Sequence, residues 1–416
     1  MNSSRIGMLA GASLIALAAV GGSALAADVT PAPAAPAAPA SAAMTMPAMA
    51  FPLVANPHPT SFDLGPLGPV YVTGAVSGLG ILQNNVFPGD RGAQVDLSNG
   101  QVFIQNTTGP IQFFIQAGAY SLPSLGSPYI RAANAIGDYF GPVPQGYVKF
   151  VPNSSFSIEA GKLPTLIGAE YTFTFENANI ERGLLWNQEP AVSRGVQANY
   201  TVGPVAFALS LNDGYYSNKY NWLSGSATYT INASNTLEFA AAGNLGTTNV
   251  STLATPLAQN NSSIYNLIYT YTSGPVTIQP YLQYNHVPAN TTLGIMHDAS
   301  TYGAAVLANY AFTPRFSLAG RVEYINSTGT ALNGAPSLLY GAGSRAVSFT
   351  VTPTYQYKIY FARAEFSYVK AYDTTPGLAL GPNGIQRQRH GDCWRPAFSS
   401  KPDGAIWRKC KTNNTM

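Results

Sequence analysis

Residues Phe316-Ser317-Leu318-Ala319-Gly320-Arg321-Val322-Glu323-Tyr324 alternate without a break. In an extended strand, successive side chains point to opposite faces. Phe316, Leu318, Gly320, Val322 and Tyr324 then share one face, and Ser317, Ala319, Arg321 and Glu323 share the other. A face bearing Arg and Glu needs water, and a face of Phe, Leu, Val and Tyr avoids it. The pattern recurs. Tyr360, Ala362, Ala364, Phe366 and Tyr368 oppose Arg363, Glu365 and Ser367. Val276, Ile278, Leu282 and Tyr284 oppose Thr277, Gln279, Tyr281 and Gln283. Val347, Phe349, Val351 and Tyr355 oppose Ser348, Thr350, Thr352 and Thr354.

Outward from these stretches, the connections alternate between tight and long. Seven tight turns are readable: at Thr108-Gly109-Pro110, Asn153-Ser154-Ser155, Gly203-Pro204, Asn232-Ala233-Ser234-Asn235, Gly274-Pro275, Thr313-Pro314-Arg315 and the Tyr357-Lys358 corner. They recur at intervals of roughly 40 residues, which fits two membrane strands of about ten residues plus one long loop. A soluble sandwich gives turn signals every ~8–12 residues, with no such asymmetry. Aromatics recur at strand ends (Tyr200, Tyr229, Tyr271, Tyr310, Phe312, Tyr355), where interfacial girdles sit. The expected fold is all-β: a transmembrane antiparallel up-and-down β-barrel of about 16 strands, apolar outside and polar inside.

Composition agrees. Of 416 residues, 46% are hydrophobic and 9% charged, too few charges to clothe a soluble globule of this length. Twelve per cent aromatic residues argue against disorder. A net charge of +3 without a basic run before the C-terminal tail argues against nucleic-acid binding. After the N-terminus no apolar run approaches the ~20 residues a spanning helix needs.

Four segments are expected. Residues 1–27 read as a secretory signal peptide: Arg5, an apolar stretch from Ile6 to Val20, and the small-x-small site Ala24-Leu25-Ala26. Residues 28–67 are an Ala/Pro-rich periplasmic linker, because proline this frequent favours extended chain. Residues 68–384 form the barrel, and 385–416 an atypical basic tail. Fifteen strands are readable up to Val369, whereas bacterial single-chain barrels use even numbers. The tail holds Cys393, Cys410, Trp394, Trp407 and seven basic residues, and its alternation disappears. The codons possible for Asp392–Lys401 permit, in a shifted frame, an apolar peptide ending on aromatics. The last strand is therefore expected to be replaced by a frameshift product, which would leave the barrel edge open. The alternative is a genuine basic tail with a Cys393–Cys410 disulfide. The DNA across codons 384–401 distinguishes the two. Without Arg5 and the tail, 13 bases face 16 acids.

Gly161-Lys162-Leu163-Pro164, Gly168-Ala169-Glu170, Asn177, Arg182-Gly183, Arg194-Gly195-Val196 and Asn212-Asp213-Gly214 resemble the OmpL-like β-barrel porin family, the beta-barrel porin-2 group. The resemblance covers most of 68–384. It implies a pore in the bacterial outer membrane and a final membrane strand from which this tail departs.

The third long loop, Lys162–Ser193, is the longest. By analogy with sixteen-stranded general porins it is expected to fold into the lumen and narrow it. It carries Glu170, Glu176, Glu181 and Glu189, with Arg182, and the aromatics Tyr171, Phe173, Phe175 and Trp186 to anchor it. Inward-facing wall candidates are Lys149, Arg194, Arg321, Glu323, Arg363 and Glu365. Acids on a loop facing bases on a wall make a transverse field that sorts ions. The plainer expectation is that these charges pair and hold the loop.

The expected function is passive diffusion of small hydrophilic solutes and ions. The alternative is a non-conducting barrel serving as a surface adhesin or structural protein. No nucleophile or metal motif of the G-x-S-x-G or H-E-x-x-H kind occurs, and His297-Asp298 alone makes no hydrolytic site. No enzyme activity, cofactor, metal or nucleic acid is expected. The expected partners are outer-membrane lipid, the solutes, the barrel-assembly machinery and, as in general porins, two further copies in a homotrimer.

Overall fold

The computed structural model describes Leu53, Val54, Asn56 and residues 59–397. The expected signal peptide, most of the Ala/Pro-rich stretch, and the tail from Phe398 onward with Cys410 lie outside these residues.

A short strand, β1 (Thr60–Asp63), precedes sixteen longer ones. These are β2 (Pro69–Gln83), β3 (Ala93–Asn106), β4 (Ile111–Tyr120), β5 (Gln145–Asn153), β6 (Phe156–Pro164), β7 (Val192–Val202), β8 (Val205–Asn212) and β9 (Trp222–Asn232). The second half comprises β10 (Asn235–Asn244), β11 (Ser263–Ser273), β12 (Val276–Val287), β13 (Ala299–Thr313), β14 (Phe316–Ser327), β15 (Arg345–Tyr357), β16 (Tyr360–Tyr372) and β17 (Gln388–Ala397). Consecutive strands from β2 to β17 pair antiparallel, and β17 returns to β2. Closure matters in lipid, where an unpaired strand edge leaves backbone donors and acceptors unsatisfied.

The seven tight turns fall where the sequence places them, and all lie at one end of the barrel. The faces also follow the alternation. Val322 is 55% exposed and its neighbour Arg321 1%. Tyr200, Tyr229, Tyr310, Phe312 and Tyr355 stand exposed at the tight-turn end and form a girdle. No helix among the described residues is long and apolar enough to cross a membrane.

The expectation of an open edge is corrected. The missing strand is β17, inside the stretch expected to be only a basic tail. It pairs along β16 from Phe361↔Ala397 to Lys370↔Gln388. It also meets the outer half of β2, from Ser77↔Ala397 to Gln83↔Gly391. The first four residues of that edge are covered differently: β1 pairs there, Thr60↔Val72 to Asp63↔Pro69. The seam is thus shared by two segments from opposite ends of the chain. The alternation rule misses β17 because its outward positions His390 and Asp392 are polar, while Arg389, Gly391 and Cys393 are buried.

Before β1, Leu53 is buried in a cluster with Phe103 and Phe114. The backbone N–H of Val54 donates to Gln356 Oε1, and Gln356 Nε2 donates back to the Val54 carbonyl, both at 2.8 Å. Gln356 faces inward near the end of β15, so this piece of the proline-rich stretch enters the lumen at its tight-turn end.

Candidate functional site: a loop clamped across the lumen

The loop after β6 spans residues 165–191 and is nearly all buried. β6 and β14 are eight places apart in a ring of sixteen, so they face each other across the lumen. The loop crosses to β14 and is gripped there by charges that the sequence had singled out.

Arg321 on β14 is the centre of the grip. Its Nη1 lies 2.5 Å from Glu170 Oε1 and donates to the Glu181 carbonyl at 2.8 Å. Its Nε lies 3.2 Å from Glu323 on the same face. Glu323 also accepts from Ser348 Oγ at 2.5 Å and from the Leu185 N–H at 3.2 Å. The next inward pair divides the work by charge. Arg363 donates to loop carbonyls: Thr174 at 3.0 Å, Asn177 at 2.6 Å, and Ala178. Glu365 accepts from loop N–H groups, Ile180 at 2.5 Å and Glu181 at 3.0 Å. A guanidinium has only donors and a carboxylate only acceptors, so the two side chains together read both polar sides of one backbone stretch.

Gly183 leaves room for two carboxylates at the centre. A Cβ there would sit 2.1 Å from Glu323 Oε1 and 2.7 Å from Glu170 Oε2. The Gly183 N–H instead donates to Glu170 at 2.7 Å. Aromatics hold the other side of the loop. Phe175 packs 5.5 Å from Phe103 on β3, and Phe173 meets Tyr120 edge-on at 5.2 Å.

The remaining acids have separate tasks. Glu176 accepts from the Phe173 N–H at 3.0 Å. Burial pushes its carboxyl up to about 8, against the opposing pull of that N–H and of Arg182. Glu189 accepts from Tyr281 at 3.1 Å, and burial raises its carboxyl as well. Glu181 accepts from Ser367 Oγ at 3.1 Å and lies 3.5 Å from Arg389. Arg182 stacks 4.8 Å over Trp186, but no guanidinium nitrogen has a protein hydrogen-bond partner among the described residues. Burial lowers its pKa to about 10.

Lys149 and Arg194 stand apart from the grip. Lys149 Nζ lies 3.6 Å from Glu159 across the β5–β6 pair. Arg194 pairs with Asp213 at 2.7 Å and stacks on Tyr216 at 3.9 Å. Two participants escaped the sequence reading. Gln283, already on a polar face, donates to the Leu185 carbonyl at 3.0 Å. Arg389 was hidden because its strand carries no apolar alternation.

A family model described as beta-barrel porin-2, OmpL-like matches residues 69–390. An anion-selective porin from Comamonas acidovorans has a similar fold, with TM-score 0.52 and 12% identity over 79% of this chain and 99% of that one. The outer-membrane expressed OmpT of Vibrio cholerae gives TM-score 0.50 and 12% identity, over 80% of this chain and 99% of that one. No curated protein sequence matches the chain. The chain is a closed sixteen-stranded barrel of the bacterial outer membrane with one extra strand, and it belongs to the beta-barrel porin-2, OmpL-like family.

Proposed function

We propose that the barrel is a non-enzymatic pore for passive diffusion of small hydrophilic solutes and ions, narrowed by the loop at 165–191. Residues 1–27 are its export signal, and the Ala/Pro-rich stretch from 28 is its periplasmic lead-in. The observation that carries the reading is a wall of inward polar side chains, several of them buried with no protein partner among the described residues. The unpartnered groups include both amide atoms of Gln101, Gln105 and Gln116, and the whole Arg182 guanidinium. Polar groups facing inward are costly unless water reaches them, so this wall suits a lumen that holds water. Planar-bilayer recording tests the reading. Purified protein is expected to give ohmic steps, and replacing residues 171–188 with a short Gly-Ser linker to roughly double them, as widening a constriction does. Absence of conductance from folded protein would favour the non-conducting barrel, a reading that the dense packing of the loop supports. The proposal includes a homotrimer inserted by the barrel-assembly machinery; light scattering of detergent-folded protein reads the copy number.

The raised Glu176 carboxyl predicts a pH effect with a definite sign. Held up to about 8, it is neutral in mildly acidic solution and charged above that value. Added negative charge beside the pathway favours cations. Between about pH 6 and about pH 9 the reversal potential in a KCl gradient should move towards the potassium potential, and Glu176→Gln should flatten that movement.

A further inference from the structure

A cavity of about 370 Å³ lies between the wall of β4–β7 and the start of the clamped loop. Its lining does not resemble an ion site. Gln112, Gln145, Gln197 and Asn199 contribute neutral amides, and Phe114 and Tyr147 contribute rings whose centroids are 5.7 Å apart. The charged wall pair, Lys149 and Glu159, offsets itself. Two lining residues each carry a buried oxygen with no hydrogen-bond partner among the described residues: Gln145 Oε1 and Glu176 Oε1. Both residues are at least nine-tenths buried.

These facts constrain a ligand. An amide oxygen and a carboxyl oxygen without partners call for a ligand whose hydroxyls can both donate and accept. Flat rings beside them offer an apolar face to stacked C–H groups. The amide dipoles can donate or accept, which suits a molecule carrying many hydroxyls. The Lys149 ammonium disfavours a cation, and the Glu159 carboxylate disfavours an anion. We propose that this cavity is a binding subsite for a neutral sugar ring, held by hydroxyl hydrogen bonds to Gln145 and Glu176 and by stacking on Tyr147. The subsite rests on the pore reading for its access, and it makes neutral sugars the favoured solutes of the pore.

Calorimetric titration of detergent-folded protein tests the subsite directly, with glucose, gluconate and choline as separate probes. The expected result is saturable binding of glucose in the millimolar range, with gluconate and choline not binding. Tyr147→Ala and Gln145→Leu are each expected to weaken glucose about tenfold, the equivalent of about 1.4 kcal/mol. Heat-modifiable mobility confirms that each variant is folded, and Gln145→Leu keeps the local volume should Tyr147→Ala fail to fold. No saturable glucose binding by folded wild type overturns the subsite, as does preferential binding of choline or gluconate, or unchanged affinity in the folded variants. Bilayer conductance of the same preparation reports the pore separately. Glucose binding without conductance overturns the pore and keeps the subsite, and conductance without glucose binding does the reverse.

Discussion

Arg321→Met is expected to lower the thermal unfolding midpoint of the barrel and to make its current larger and noisier. Methionine keeps the length of the side chain and removes the charge. Glu170 and Glu323 would then remain buried without their partner, since both side chains are almost wholly covered. Removing one member of a buried ionic cluster costs roughly 3–5 kcal/mol, because the charges left behind are uncompensated. The same substitution breaks the bond to the Glu181 carbonyl. The loop would keep its aromatic contacts on the β3–β4 side and its bonds to Arg363 and Glu365, and lose the Arg321 anchor on β14. Gly183→Ala should act in the same direction, because its methyl would displace both carboxylates. Temperature-dependent gel mobility reads the stability, and open-channel current noise reads the loop. A quiet channel with the original conductance in Arg321→Met would mean that the loop stays in place without this ion cluster.

Truncation after Arg387 is expected to abolish assembly. It removes β17 and exposes the edge of β16 from Phe361 to Lys370 and that of β2 from Ser77 to Gln83. In hydrocarbon each unpaired backbone group costs on the order of several kcal/mol. β1 cannot compensate, because it covers only Pro69–Val72. Arg389 leaves with the strand, so Glu181 also loses its ion pair. Heat-modifiable mobility after refolding reads the outcome: full-length protein should shift on boiling, and the truncated chain should not. A folded, conducting truncated barrel would show that β17 is dispensable for closure.

Much of the clamp was legible before the fold. Arg321, Glu323, Arg363 and Glu365 sit at inward positions because strand alternation places them there, and no tertiary information is needed for that. The loop was legible from its length and its acids. The partners were not. Glu170 and Arg321 are 151 residues apart in sequence, and the contact between them depends on how the ring closes. The use of Glu365 and Arg363 against backbone groups was equally hidden, since carbonyls and amides carry no sequence signal.

The barrel follows from local pattern. Period-two alternation, the seven tight turns and the scarcity of charge reflect local geometry and the polarity of the two surrounding media, and both act residue by residue. How the ring closes and what its charges do depend on contacts between segments far apart in the chain. β17 becomes a strand because the edges of β16 and β2 need partners, even though its outward residues are polar. The acids and bases become a clamp because closure brings β14–β17 within hydrogen-bond reach of the loop. Edge pairing and ion pairing are long-range requirements, so they are settled only when the whole ring is formed.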